Sequence, residues 1–485
     1  MREPGNPSVP RHSARPSWRR AAGLWAAALL AGCVRYQPQP ISPLVALNGY
    51  EARSLSDPEL TAFLQSSLAT TGPPPASWDF RALTLVALYY HPDLDIARGA
   101  WAEARAATRT AGQRPGPDAT VTPGYNSTSP VSQITPWILS LDLAFKIGIP
   151  GSRGHRIVQA QRLSDAARFD LAASAWRVRS RVRQAMLDVY HARALATLLK
   201  GQLAIQQGNL VLLERQLSEG AVSPFEVTRA RMAQDETRLA LHDASGRHAI
   251  GLVALAASLG VTSRALEGVT LSYDAFGQAP PALPDSDARQ LALLNRADIL
   301  GALATYDASQ AALQLEIAHQ YPEIHLGPGY QLDQGEKKWA LGLGTVLQLF
   351  SRHAGPIAEA TARREVAAAR FTSAQAIAIE ELDGALAGYR GAVARLATAD
   401  SMFAYRQQQQ RRADAQFAAG DISRLELGVL QLELATTELA RLDARVDLER
   451  AIGLLEDAMQ SPADLSAWPT TAPRRRPPSG TPDRQ

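Results

Sequence analysis

ALYYHPDLDIARGAWAEARAATRTAGQRPGPDATVTPGY, residues 87–125, lies without a gap on ALLNRADILGALATYDASQAALQLEIAHQYPEIHLGPGY, residues 292–330. A shift of 205 carries Ala87 onto Ala292, Asp93 onto Asp298, Ala107 onto Ala312 and Pro117 onto Pro322. Both stretches close on the same tripeptide, Pro123-Gly124-Tyr125 and Pro328-Gly329-Tyr330. Further along, a shift of 200 carries Gly220, Ser223 and Glu226 onto Gly420, Ser423 and Glu426. Amphipathic helices share Ala and Leu by composition alone. They do not share a Pro-Gly-Tyr stop and a Gly-x-x-Ser-x-x-Glu turn. The chain is therefore a tandem repeat of roughly 200 residues, and the fold has to be read as one unit built twice.

Each copy has the same order of elements. An Ala-rich helix (about 81–113 and 285–319) is closed by a Pro-containing break. Two strands follow. From Trp137 to Ile147 every odd position is apolar, while Ser140, Asp142 and Lys146 fall on even ones, which is the two-residue period of a strand. In copy two Trp339, Leu341, Leu343, Leu347 and Leu349 alternate with Ala340, Gly342, Gly344, Val346 and Gln348. The preceding stretches, about 119–126 and 323–332, alternate likewise. Pro123 and Pro328 predict strands that bend or bulge there. Long stretches nearly free of Pro and Gly, about 155–217 and 356–417, then carry apolar residues at helical spacing. They break at Gly220 and Gly420 before second helices, 224–259 and 424–459. Ser223 and Ser423 stand at the N-cap positions, with Glu226 and Glu426 three residues on, as in a capping box.

The ends of the chain carry a different message. Arg19 and Arg20 lead into the apolar run Ala21–Leu30, then Ala31, Gly32 and the only cysteine, Cys33. This is a signal-peptide pattern, with a core too short to span a bilayer. The expected organisation is a signal peptide at 1–32, an extended Pro-rich segment at 33–80, and a first repeat at 81–260. A linker at 261–284, a second repeat at 285–460 and a disordered basic tail at 461–485 complete it. The net charge is only +3 over 485 residues and no basic stripe interleaves with aromatics, which argues against a nucleic-acid partner. No phosphate loop, nucleophile elbow or paired acid–base set is present, so no enzyme, catalytic residue or cofactor is expected. The nine histidines are scattered in sequence and predict no metal site. His91-Pro92-Asp93 reads as a helix start.

The strands constrain the assembly. At about 8–11 residues they have the length of tilted membrane-crossing strands, apolar on one face and polar or small on the other. Trp137 and Trp339 begin corresponding strands, where an interfacial aromatic anchor belongs. Leu139, Leu141, Leu143, Leu341 and Leu343 continue the face expected to meet lipid. Four strands leave two open edges, which lipid does not tolerate, so closure requires further copies of the chain. From the strands alone, two soluble hairpins packed on helices fit as well; the targeting segment and the duplication favour the barrel. The long helices are too polar to cross a membrane and suit a coiled-coil tube.

Leu30-Ala31-Gly32-Cys33 resembles the lipobox of bacterial lipoproteins, which implies lipidation of Cys33. Val34 in the next position implies sorting to the outer membrane. The duplicated order, the Gly-x-x-Ser turns and the strand-to-helix stretches resemble the outer-membrane efflux protein family of TolC, over about 81–460. Thr135-Pro136-Trp137-Ile138-Leu139, Gly154-His155-Arg156-Ile157 and Gly355-Pro356-Ile357-Ala358-Glu359-Ala360 are most similar to its heavy-metal-efflux branch. The resemblance implies a mainly α protein with a small β part. It would be a homotrimer whose transmembrane β-barrel crosses the outer membrane of a Gram-negative bacterium and continues as a periplasmic α-helical barrel. Its implied partners are a periplasmic adaptor and an inner-membrane resistance-nodulation-division pump. The implied function is passive conduction of what the pump delivers, which in the branch it most resembles is divalent heavy-metal cations. A duct for organic drugs, or a lipid-anchored periplasmic scaffold without a pore, are the competing readings.

The same resemblance places the turns Gly220-Ala221-Val222-Ser223 and Gly420-Asp421-Ile422-Ser423 at the periplasmic tip, where the adaptor docks. A bare helix cap without a partner uses the same residues. Glu426, with Glu226 at the matching place in copy one, would line the closed pore, and three copies of Glu426 would make an acidic ring. The capping box competes for that carboxylate. Val429 stands where a second acidic ring is expected and Ile422 where a gate-locking Arg is known, so a different constriction is implied.

Overall fold

The computed structural model describes residues 36–68, 76–127, 135–278, 283, 286–345 and 352–460. The signal peptide, Cys33, Leu347, Leu349 and the 461–485 tail lie outside the described residues. The segment 33–80, expected to be extended, holds two helices, α1 (Pro43–Glu51) and α2 (Pro58–Leu68). Proline is what hid them. At the first position of a helix its missing N–H is not needed and its φ is already helical. Ser42 caps α1, its hydroxyl accepting from the Val45 amide at 3.5 Å. The chain forms two compact units that divide between Ala52 and Arg53.

The first helix of each repeat is in fact a pair. α3 (Phe80–Tyr90) and α4 (Pro92–Ala111) meet at His91, whose Nδ1 accepts from the Asp93 amide at 3.2 Å as the N-cap of α4. In copy two, α7 (Ser286–Asn295) and α8 (Ala297–Ala318) meet at Arg296. The helix start read from His91-Pro92-Asp93 is thus present. It divides a helix that periodicity alone runs together, because Pro92 cannot donate to the carbonyl one turn back.

Strands β1 (Asp118–Tyr125) and β2 (Trp137–Ile147) form one hairpin. β3 (Ile324–Asp333) and β4 (Glu336–Thr345) form the other, turned by Gln334 (φ 53°) and Gly335 (φ 98°). Two positive φ values in a two-residue loop match the right-handed twist of the strands they join. The four strands make one antiparallel sheet in the order β1-β2-β3-β4, so the two repeats lie side by side through β2 and β3. No bulge occurs at either proline. Pro123 stays in register with Leu139, and Pro328 with Leu341. β1 is an edge strand, which can lack a donor on its open side. At Pro328 the ladder to β2 lapses between Asp142↔Gly329 and Phe145↔Leu326 and then resumes.

Two helical hairpins carry this sheet. α5 (Ser152–Ser218) has 67 residues and α9 (Ala354–Ala419) has 66, each about 100 Å long at 1.5 Å per residue. They turn back into α6 (Pro224–Leu259) and α10 (Arg424–Met459). α8 and α10 also pack on α5. One core surrounds α3, buried from Ala82 through Tyr90, and joins it to Val178, Val182 and Met186 of α5 and Leu255 and Leu259 of α6. A second joins Leu382, Leu386 and Tyr389 of α9 to Leu448, Ile452 and Leu455 of α10. The 261–284 stretch, expected to be a linker, contributes Val261, Leu266 and Phe276 to the first core. Its Thr270 carbonyl accepts from the Trp78 amide at 2.8 Å. It enters through Gly260, at φ 77°, where a Cβ would come within 2.8 Å of the Tyr90 carbonyl oxygen. Only glycine fits that corner.

Candidate functional site

The register fixes which residues share a face of the sheet. Val121, Pro123 and Tyr125 stand opposite Leu141, Leu139 and Trp137; Leu139 and Leu141 stand opposite Leu332 and Tyr330; Tyr330, Pro328 and Leu326 stand opposite Trp339, Leu341 and Leu343. One face is therefore apolar across all four strands. The other carries Thr120, Thr122, Ser140, Asp142, Lys146, Gln331, Gly342 and Gly344. The apolar face is uncovered: Trp339 is 81% exposed, Leu341 71% and Leu343 75%. Trp137, Leu139 and Leu141 are exposed as well, and Leu143 is half-buried. So large an apolar surface on a protein that buries its helical core well has to be covered by something apolar.

Each hairpin carries one aromatic pair on this face. Tyr125 meets Trp137 edge-on at 5.2 Å, and Tyr330 meets Trp339 at 4.8 Å. Tyr125 and Tyr330 are the residues that close the duplicated Pro-Gly-Tyr. The repeat thus places the same amphipathic pair twice, although β4 starts at Glu336, so Trp339 lies inside its strand and does not begin it as Trp137 does. Among the described residues no helix is long and apolar enough to cross a membrane.

The two helical turns lie at the far ends of the long helices. At each, a glycine takes a left-handed conformation, Gly220 at φ 75° and Gly420 at φ 84°, with open space where a Cβ would stand. The Ala221 amide donates to the Gln216 carbonyl at 2.8 Å, and the Asp421 amide to that of Gln416 at 2.9 Å. Both are Schellman closures, and they leave Ala221, Val222, Asp421 and Ile422 presented at the tip.

The N-caps differ between the copies. Ser423 accepts from the Glu426 amide at 3.2 Å, and Glu426 Oε2 accepts from the Ser423 amide at 2.7 Å, completing the capping box. Ser223 takes the cap position without a side-chain bond, and Glu226 does not close a box. Pro224 stands at the first helical position, where copy two has Arg424.

Glu426 is exposed, and its carboxyl is held below the usual range, first by the Ser423 amide and then by the Ser423 side chain. A lowered folded value means that the cap contributes fully above the ordinary glutamate range, about 4.3. That contribution is lost as pH falls through the lowered value. Hydrogen exchange should therefore show Ser423 losing protection on acidification relative to Ser223, whose turn has no box. Parallel behaviour of the two amides would refute this.

The structure also assembles groups that the sequence did not single out. His319, which ends α8, and His353, which caps α9, both contact Glu316. In the helical body Arg179 and Arg183 are buried against Glu456 and Glu449. Helical spacing could have paired Glu316 with His319, three residues apart, but neither His353 nor the Arg179 and Arg183 partners are within reach of any local period, because they come from different helices.

A sheet with one lipid-compatible face, set on paired helices of this length, defines the class of outer-membrane channels in which a β-barrel continues into an α-helical barrel. The sequence matches the outer membrane efflux protein family over residues 85–261 and 288–459. The chain belongs to that family. Among curated relatives it is 26% identical to the cobalt-zinc-cadmium resistance protein CzcC of Cupriavidus metallidurans, over 43% of this chain and 50% of that one. The chain thus spans about half the length of the curated relative it matches. VceC, the outer membrane protein of Vibrio cholerae, superposes with a TM-score of 0.65 at 20% identity, covering 79% of this chain and 97% of that one. CusC does so with a TM-score of 0.66 at 20% identity, covering 78% and 91%. These likenesses establish the fold.

Proposed function

We propose that this outer-membrane efflux channel works as a homotrimer, the passive duct of a tripartite exporter of divalent heavy-metal cations. The observation that carries the duct is the continuous apolar face across a sheet with two open edges. Twelve strands from three copies would close it and leave the polar face around a water-filled lumen. The metal cargo is supported by the likeness to a cobalt-zinc-cadmium resistance protein. The turns at Gly220–Ser223 and Gly420–Ser423 would meet the periplasmic adaptor, whose inner-membrane partner would be a resistance-nodulation-division pump. Three copies of Glu426 would ring the closed tip with carboxylates, which favours cations. The capping bonds leave the Glu426 carboxylate exposed and so compatible with such a ring. Cys33 would carry the lipid that anchors the chain.

Survival of a deletion strain in graded zinc, cobalt, cadmium and copper, beside organic antibiotics, tests this reading. Sensitivity confined to metals and rescued by the intact gene is expected. Failure of a Cys33→Ala copy to rescue would show that the anchor is needed. Sensitivity to organic compounds alone would remove the metal cargo and leave the channel.

A further inference from the structure

We infer that Glu316, His319 and His353 form a site for a divalent transition-metal ion at the junction where the helical body of the second repeat passes into its strands. Glu316 and His319 lie on the last turn and C-cap of α8, just before β3; His353 is the N-cap of α9, after β4. Glu316 Oε2 stands 2.7 Å from His353 Nε2 and 3.4 Å from His319 Nδ1. One ligand atom from each of the three residues lies within 4.8 Å of the others. Atoms bound to a single tetrahedral zinc ion are about 3.4 Å apart, given metal–ligand distances near 2.1 Å. The three groups therefore need only small rotations to share one ion. The imidazole rings stand edge to face at 5.7 Å, and one nitrogen of each meets the same Glu316 oxygen.

The donor set decides the chemistry. Two imidazoles and one carboxylate suit zinc, cobalt, nickel or copper, whereas magnesium and calcium prefer all-oxygen shells. All three side chains are partly exposed, between 20% and 36%, so water can complete the shell and the ion can exchange.

The duplication supplies an internal control. At the shift of 205, Ala111 and Arg114 occupy the places of Glu316 and His319 in copy one. The N-cap corresponding to His353 is Gly151, left-handed at φ 83°, and the junction is clasped by Arg153 Nε donating to the Gly112 carbonyl at 2.9 Å. Copy two places Arg352 (φ 45°) and His353 (φ 60°) in the left-handed region that copy one gives to glycine. A side chain held there at a backbone cost is retained for what it contacts.

The inference does not rest on the cargo of the duct, and its test needs neither pump nor export. The full chain, purified in detergent without a histidine tag and stripped with chelator, is titrated with Zn²⁺ by calorimetry and with Co²⁺ by absorbance. One ion per chain is expected, with visible cobalt bands of nitrogen–oxygen coordination and a rise in the thermal midpoint on adding zinc. His319→Gln and His353→Gln should each weaken binding by about ten-fold or more. Gln at 353 retains a donor for Glu316, so a clasp without metal would survive it; the metal-free midpoint should then stay while the zinc-dependent rise disappears. Absence of binding in the natural chain, or equal binding by the H319Q/H353Q double variant, would overturn the site.

Discussion

Leu141→Arg together with Leu341→Arg is expected to abolish the membrane-inserted channel, while Ser140→Arg leaves it standing. Leu141 and Leu341 lie on the apolar face, connected through the register Leu141↔Tyr330 and Pro328↔Leu341. An arginine on the lipid side of a barrel costs about 2–4 kcal/mol near the midplane. Two substitutions per chain, multiplied by the copies needed for closure, exceed the margin by which a folded protein is stable. Ser140 lies between Thr122 and Gln331 on the opposite face, which already carries Asp142 and Lys146. An arginine there meets water. Sedimentation in detergent and conductance in a planar bilayer would read both variants. Full insertion and conductance by L141R/L341R would show that the uncovered face does not meet lipid, and would favour a scaffold without a pore.

Arg179→Ala is expected to cost about 3–5 kcal/mol of stability, the usual consequence of breaking a buried ion pair on one side. Arg179 is 6% exposed and Glu456 7%, with their charged atoms 2.7 Å apart, and the guanidinium lies over the rings of Phe80 and Trp176. Arg183 is placed likewise against Glu449 at 3.1 Å, over Phe276 and beside Gly453, where a Cβ would meet its Nε at 3.0 Å. Burial pushes the Glu449 carboxyl up in spite of Arg183, so this cluster has little charge compensation to spare. Replacing both partners, as in Arg179→Met with Glu456→Leu, should cost far less, since neither charge of that pair is then left buried alone and Arg183 keeps Glu449. Denaturant unfolding of the purified chain would separate the cases. A single variant no less stable than the double would mean that water reaches the pair.

Much of the architecture was legible because it depends on local periodicity and on punctuation. Helices α6 and α10 begin and end at the predicted residues, and β2 runs over the predicted stretch. The misreadings share a cause. Proline at 43 and 58 opens helices, whereas in composition it reads as irregularity. Pro123 and Pro328 sit in register because one occupies an edge strand and the other a lapse in the ladder. The second capping box looked identical to the first in residue type, yet only Ser423 and Glu426 close it.

By itself, then, the sequence determined the duplication, the alternation of the strands and the glycine-marked turns, because each is written within a few residues of itself. Tertiary structure alone decided that the four strands form one sheet with a single apolar face, since β2 and β3 meet only after the helices between them fold. It also decided which charges are buried together, and that Glu316 and His319 meet His353 across a β-hairpin. Such contacts depend on where separate elements come to rest, and no local period in the chain records that.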